Sequence, residues 1–144
     1  MEIKQFYDKN LAHASYAILS ENEIALIDPS RNPEQYFEFA KESNAKITAI
    51  IETHPHADFV SSHLEISNKT GAGIYVSRLL NPLYKFIPFD EGDELKLGKI
   101  FLFPINTFPE VGYIKPEIRR IIIVFPEPLI PFSPVIEFDF IVKL

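Results

Sequence analysis

Residues 51–63, Ile-Glu-Thr-His-Pro-His-Ala-Asp-Phe-Val-Ser-Ser-His, hold three of the four histidines in this 144-residue chain. His54, His56 and Asp58 stand at positions i, i+2 and i+4. On an extended backbone such residues point the same way, so two imidazoles and a carboxylate can face one point in space. Neutral imidazole suits zinc and iron, and a carboxylate suits both as a harder partner. Pro55, between the histidines, stiffens the turn and lowers the entropy cost of ordering it. There is no cysteine. Thiolate ligands, disulfides and a cysteine nucleophile are excluded together, and a metal would have to be held by His, Asp, Glu or water. The same run also reads as two surface histidines followed by an aspartate that caps the next helix. His63 falls on that helix and is not expected to be a ligand. His13, in "LAHASY", is expected to be a satisfied strand histidine.

These residues need elements to position them. "KITAIIET" is a continuous apolar run suited to a buried central strand, and the histidines begin where it stops. Open α/β sheets commonly bind ligands at the carboxyl ends of their strands. Upstream, "EIKQFY", "ASYAIL" and "EIALID" read as three strands. "LIDPSRNP" then breaks the pattern. Asn32 is a plausible N-cap, Pro33 suits the first helical position, and Gln35 sits where a capping box wants it. Tyr36, Phe37, Phe39 and Ala40 give the helix an apolar face. A second helix is expected from about Val60 to Lys69, closed by Gly71. "GIYVS" follows as a strand, "LLNPLY" as a short turn or helix, and "ELKLGKIFLFPI" as one or two strands of a hairpin with Gly98 near the bend.

Composition narrows the classes. The length suits one domain. The net charge of −6 argues against a nucleic-acid partner, whose electrostatic footprint on a protein is basic. No run of about 18 apolar residues occurs, so no membrane span is expected. The N-terminus "MEIKQFYDKN" lacks the apolar region of a secretory signal, so a cytoplasmic location is the expectation. The character of the chain changes near residue 107. No alanine follows Ala72, only Gly112 follows Gly98, and seven of the twelve prolines lie from Pro104 onward. Runs of β-branched and aromatic residues there are cut by Pro126, Pro128, Pro131 and Pro134, which central strands tolerate poorly.

"ETHPHADFVSSH" resembles the His-x-His-x-Asp motif of the metallo-β-lactamase superfamily. The surroundings agree in order: "LIDP", a helix, "KITAIIETHPHADFVSSH", "TGAGIYVS", "FDEGDELKLGKI". In detail they are similar to the persulfide dioxygenase branch, including its rhodanese-fused members, and more distantly to glyoxalase II. The resemblance covers residues 1–107. It implies an α/β fold: the N-terminal half of an αββα sandwich, with a mixed β-sheet and flanking helices, truncated. Residues 108–144 are then a divergent Pro/Ile/Phe-rich tail, for which a frameshift or truncation near residue 107 is the expected origin.

The resemblance also implies roles. His54 matches the first motif histidine, an iron ligand in persulfide dioxygenases. His56 and Asp58 match the second histidine and the aspartate, which serve a second metal in dinuclear hydrolases and lie beside the iron in the dioxygenases; the expected metal-site residues are His54, His56 and Asp58. Asp58 is also the candidate catalytic group, positioning ligands and water. Asp28 matches an aspartate that organises the loop beside the site. Phe59 replaces a ligand of the dinuclear hydrolases, which favours a mononuclear iron centre with open positions for substrate and O₂. The implied cofactor is Fe(II), with zinc as the alternative, and the implied substrate is a small thiol persulfide. The family's later histidine, in a Gly-His-Thr-Pro-like turn, has no counterpart in "PINTFPEVGYIKPE". Whether the chain is an enzyme therefore stays open. Impaired persulfide oxidation is the first expectation, a thioester hydrolase of glyoxalase II type the second, and a non-catalytic fragment, covered by a partner or forming a homo-oligomer, the third.

Overall fold

A computed structural model describes residues 1–57, 59–105 and 120–124, with residues 105 and 120–124 as backbone alone. The chain opens with three strands, β1 (Glu2–Asp8), β2 (His13–Ser20) and β3 (Glu23–Ile27), then helix α1 (Glu34–Glu42) and strand β4 (Lys46–Ile51). Helix α2 (His63–Thr70) and β5 (Gly73–Val76) follow. A 3-10 turn at Arg78–Leu80 leads to β6 (Ile87–Pro88), β7 (Leu95–Leu97), β8 (Ile100–Ile105) and β9 (Arg120–Val124). The first six strands form one mixed sheet in sequence order, and β7-β8-β9 form a second sheet. β1, β2 and β3 pair antiparallel, whereas β3 to β6 run parallel, because a helix or a long connection carries the chain back between them.

The central strands bury both faces, as their apolar sequences predict. On one face Leu26, Ile50 and Ile74 pack with Tyr36 and Phe39 of α1 and Ile66 of α2. On the other, Ile18, Ala25, Ile27 and Ile51 pack with Leu97, Ile100 and Leu102 of the second sheet and with Phe89. The layers are thus helices, sheet, sheet. β4 shows how one residue adjusts this pattern. Ile24 pairs with Ile47 but Ala25 pairs with Ala49, so Thr48 is an extra residue, a bulge. Ile47 and Ile50 therefore share the helix-facing side although they are three apart.

The expected elements are present with shifted ends. α2 begins at His63 rather than near Val60, because Ser61 and Ser62 are held by hydrogen bonds to the loop after β3. The Asn32 side chain does accept the Glu34 N–H, at 3.2 Å. Gln35 departs from the capping box: its amide donates to Ser30 Oγ and to the Asn32 carbonyl. Gly98 is required where it stands. Its φ is +53°, and a Cβ there would lie 2.5 Å from the Ser20 carbonyl oxygen, so the β7–β8 turn can seat on the β2–β3 turn only without a side chain. Among the described residues no helix is long and apolar enough to cross a membrane. The expected strand in the final "VIEFDFIVKL" lies outside the described residues.

Candidate metal centre

Two buried carboxylates mark the carboxyl ends of adjacent parallel strands. Asp28 follows β3 and is 3% exposed, and Glu52 follows β4 and is 4% exposed. Asp28 holds a left-handed backbone, φ +47°, which aspartate tolerates better than most residues. Its N–H continues the ladder by donating to the Ile51 carbonyl at 2.9 Å. Its side chain takes both polar hydrogens of Thr53: the N–H at 2.7 Å on Oδ1 and the hydroxyl at 2.5 Å on Oδ2.

That second bond sets the next residue. The Thr53 hydroxyl has one hydrogen, and an ionised carboxylate can only accept. With that hydrogen given to Asp28, Thr53 Oγ1 must accept from His54 Nδ1, 2.8 Å away. His54 then carries its hydrogen on Nδ1 and keeps a lone pair on Nε2, the state a metal ligand needs. The His54 and His56 rings lie 4.3 Å apart between centroids. One ligand atom from each of Asp28, His54 and His56 lies within 4.8 Å of the others, a grouping able to hold a metal ion. Both oxygens of Asp28 are already engaged by Thr53, so it is better placed to orient than to ligate.

His56 meets both carboxylates directly. Its Nε2 lies 3.4 Å from Asp28 Oδ1 and 3.4 Å from Glu52 Oε2. Burial opposes charge on this ring, but the two carboxylates outweigh it and push its pKa up to about 9. Glu52 is shifted upward, first by burial and further by the nearby charge of Asp28, against the opposing pull of the facing His56 ring and the Ser61 hydroxyl. His63, at the start of α2, has Nδ1 3.3 Å from Glu52 Oε1, and burial, then the charge of His56, lowers its pKa. The base of the loop is tied down beside it. Ser61 Oγ is 2.6 Å from Glu52 Oε1 and 2.9 Å from the Pro29 carbonyl oxygen. The Ser62 hydroxyl donates to the Ser30 carbonyl, and the buried Tyr36 hydroxyl accepts the Ser30 N–H at 2.7 Å.

Of the expected ligands, His54 and His56 come together, and Asp58 lies outside the described residues. His63 is outside the grouping able to hold a metal ion among the described residues, yet it touches the same carboxylate as His56. His13, expected only as a strand residue, opens β2 with its ring 5.3 Å from that of His56 and 4.5 Å from that of Phe59. Phe59 itself packs 4.5 Å from His56, so an apolar ring closes one side of the cluster. Glu52 went unrecognised in the sequence. Its signal was a lone carboxylate ending the apolar run "ITAII", where burial on both faces makes a charge costly unless something answers it.

A helix-backed mixed sheet facing a second sheet, with imidazoles and carboxylates at the carboxyl ends of its parallel strands, defines a metal-binding type of α/β sandwich. The metallo-beta-lactamase superfamily model matches residues 9–138, and the chain belongs to that superfamily. Among solved structures, ETHE1 from Myxococcus xanthus is similar with a TM-score of 0.65 and 24% identity, over 70% of this chain and 46% of that one. A metallo-beta-lactamase from Staphylococcus aureus subsp. aureus COL has a TM-score of 0.63 and 36% identity, over 70% of this chain and 33% of that one. TTHA1623 in a di-iron-bound form has a TM-score of 0.53 and 16% identity, over 87% and 92% of the two chains. The chain thus spans less than half the length of the first two. Among curated proteins no significant match is found.

Proposed function

We propose that this chain carries the metal-binding loop of a persulfide dioxygenase-type centre, in which glutathione persulfide, O₂ and water give sulfite and glutathione. The observation that carries the reading is the pairing of two oriented imidazoles, His54 and His56, with the apolar ring of Phe59 beside them. Phe59 offers no ligand where a dinuclear hydrolase of the resembled family has one. Bound iron would supply Lewis-acid and redox chemistry toward sulfur and O₂ at positions the protein leaves open.

This chain's own residues do the positioning. Thr53 and Asp28 hold the His54 ring through its Nδ1. Phe59 and His13 shield one side of the cluster from water. Asp58, three residues past Pro55, is the proposed third ligand or the group that places water. The likeness in fold to ETHE1 and to a di-iron-bound protein is compatible with iron, and zinc is the alternative. The location, by this reading, is the cytoplasm, and the substrate is a small-molecule thiol persulfide.

Metal content is the direct test. Purified without oxygen, the full chain is expected to retain iron in preference to zinc, and to consume O₂ when given glutathione persulfide. Zinc retention with hydrolysis of acyl-glutathione thioesters would replace this reading with the glyoxalase II type. A chain that retains neither metal would overturn both, and would leave the non-catalytic fragment as the better description.

A further inference from the structure

The loop that carries His54 and His56 leaves the sheet at Glu52 and rejoins the helical layer at Ser61 and His63. Glu52 stands at the neck between these two ends. Its Oε1 is 2.6 Å from Ser61 Oγ and 3.3 Å from His63 Nδ1. Its Oε2 is turned to His56 Nε2 at 3.4 Å. His56 Nε2 is fully buried and makes no hydrogen bond. It hangs between two carboxylates, each slightly too far for a well-formed bond. These two are not equivalent. Both oxygens of Asp28 already accept from Thr53, whereas Glu52 Oε2 has His56 before it.

We propose that Glu52 is a positioning residue of the metal centre: its buried carboxylate accepts the Nε2 hydrogen of His56 and so fixes that ring, and it pins the neck of the histidine loop through Ser61 and His63. A carboxylate behind an imidazole fixes the ring and raises its basicity as a ligand. The proposal rests on the metal-centre reading, and its test separates the two.

Two variants, E52Q and E52A, are compared with the unaltered chain and with E23Q. Glu23 accepts the Gly98 N–H at 2.7 Å at the other end of the strands, so E23Q controls for loss of a carboxylate as such. In the metal-free chain, long-range proton–nitrogen spectra of the histidine rings are expected to show the His56 Nε2 signal moved in E52Q and E52A and unmoved in E23Q. In zinc titrations against a competing chelator, E52A is expected to bind about 10–100-fold more weakly. E52Q, which keeps an acceptor oxygen of similar shape, should lie between E52A and the unaltered chain. If E52A does not fold, the isosteric E52Q carries both measurements. An unmoved His56 signal, or unchanged zinc affinity in both variants, would overturn the role of Glu52. If the unaltered chain takes up no zinc or iron while the His56 signal still moves, the metal reading fails and the contact stands.

Discussion

The carboxyl ends of the parallel strands build two clasps from the same materials in opposite surroundings. After β3 and β4, Asp28 and Glu52 are buried and answered by Thr53, Ser61 and two imidazole nitrogens, His56 Nε2 and His63 Nδ1. After β5 and β6, Asp90 takes the Ser77 hydroxyl at 2.6 Å and Arg78 Nε at 2.6 Å, with the Arg78 side chain 64% exposed. The second clasp joins the 3-10 turn to the loop between β6 and β7. Water competes for every group in it, so it contributes little. In the first, each polar atom that loses its partner has no water to replace it. A fold built for stability alone would fill that space with apolar side chains. Two buried acids beside three histidines are instead what the proposed metal centre calls for.

The difference can be broken most sharply at Asp28. D28A strands the Thr53 N–H and hydroxyl without an acceptor in a dry setting, and is expected to destabilise by about 2–5 kcal/mol, read as a fall in the urea midpoint. It should also free the His54 tautomer, so that metal affinity falls with stability. D28N, which keeps one acceptor oxygen, should lose less of both. An effect of D28A below that of a surface substitution would show the first clasp to be as exposed as the second.

A smaller loss is expected at Tyr36, which braces the loop after β3. Y36F removes the acceptor of the Ser30 N–H and the partner of Ser15 Oγ, 2.6 Å away, and should cost about 1–3 kcal/mol. Metal affinity should drop less than in D28A, because no ring nitrogen depends on Tyr36 directly.

The smallest effect is expected at the exposed clasp, and pH and salt identify it. Burial of Asp90 works against its charge, but Ser77 and Arg78 outweigh this and hold its pKa below the usual carboxylate value. A depressed carboxylate pKa gives stability that is present above the ordinary Asp pKa and is lost as pH falls through the depressed value. R78A should therefore lower the urea midpoint slightly at neutral pH. The gap to the unaltered chain should close as Asp90 protonates in acid, and should shrink in high salt. A gap that persisted in acid would mean that Arg78 acts through packing of its stem instead.

Much of the scaffold was legible because local signals there agree. The run "KITAII" is apolar at every position that β4 buries, and Gly71 and Gly98 stand where the backbone has positive φ. The ends of α2 were less legible, since its start depends on Ser61 and Ser62 bonding to a loop about thirty residues earlier. The Thr48 bulge was invisible for a related reason: register is a property of two strands, and one strand's pattern does not contain it.

The sequence by itself determined the chemistry on offer: a cysteine-free chain with two imidazoles and a carboxylate at alternating positions just past a buried strand, in a pattern that resembles one superfamily. Only the tertiary structure decided which groups answer one another. It brought Asp28 to Thr53 and His56 across twenty-five or more residues, set Glu52 between His56 and His63, and laid His13 and Phe59 against the same ring. Such contacts arise where separate strand ends converge, and burial then makes every unanswered charge or hydrogen bond costly enough to fix the pairing.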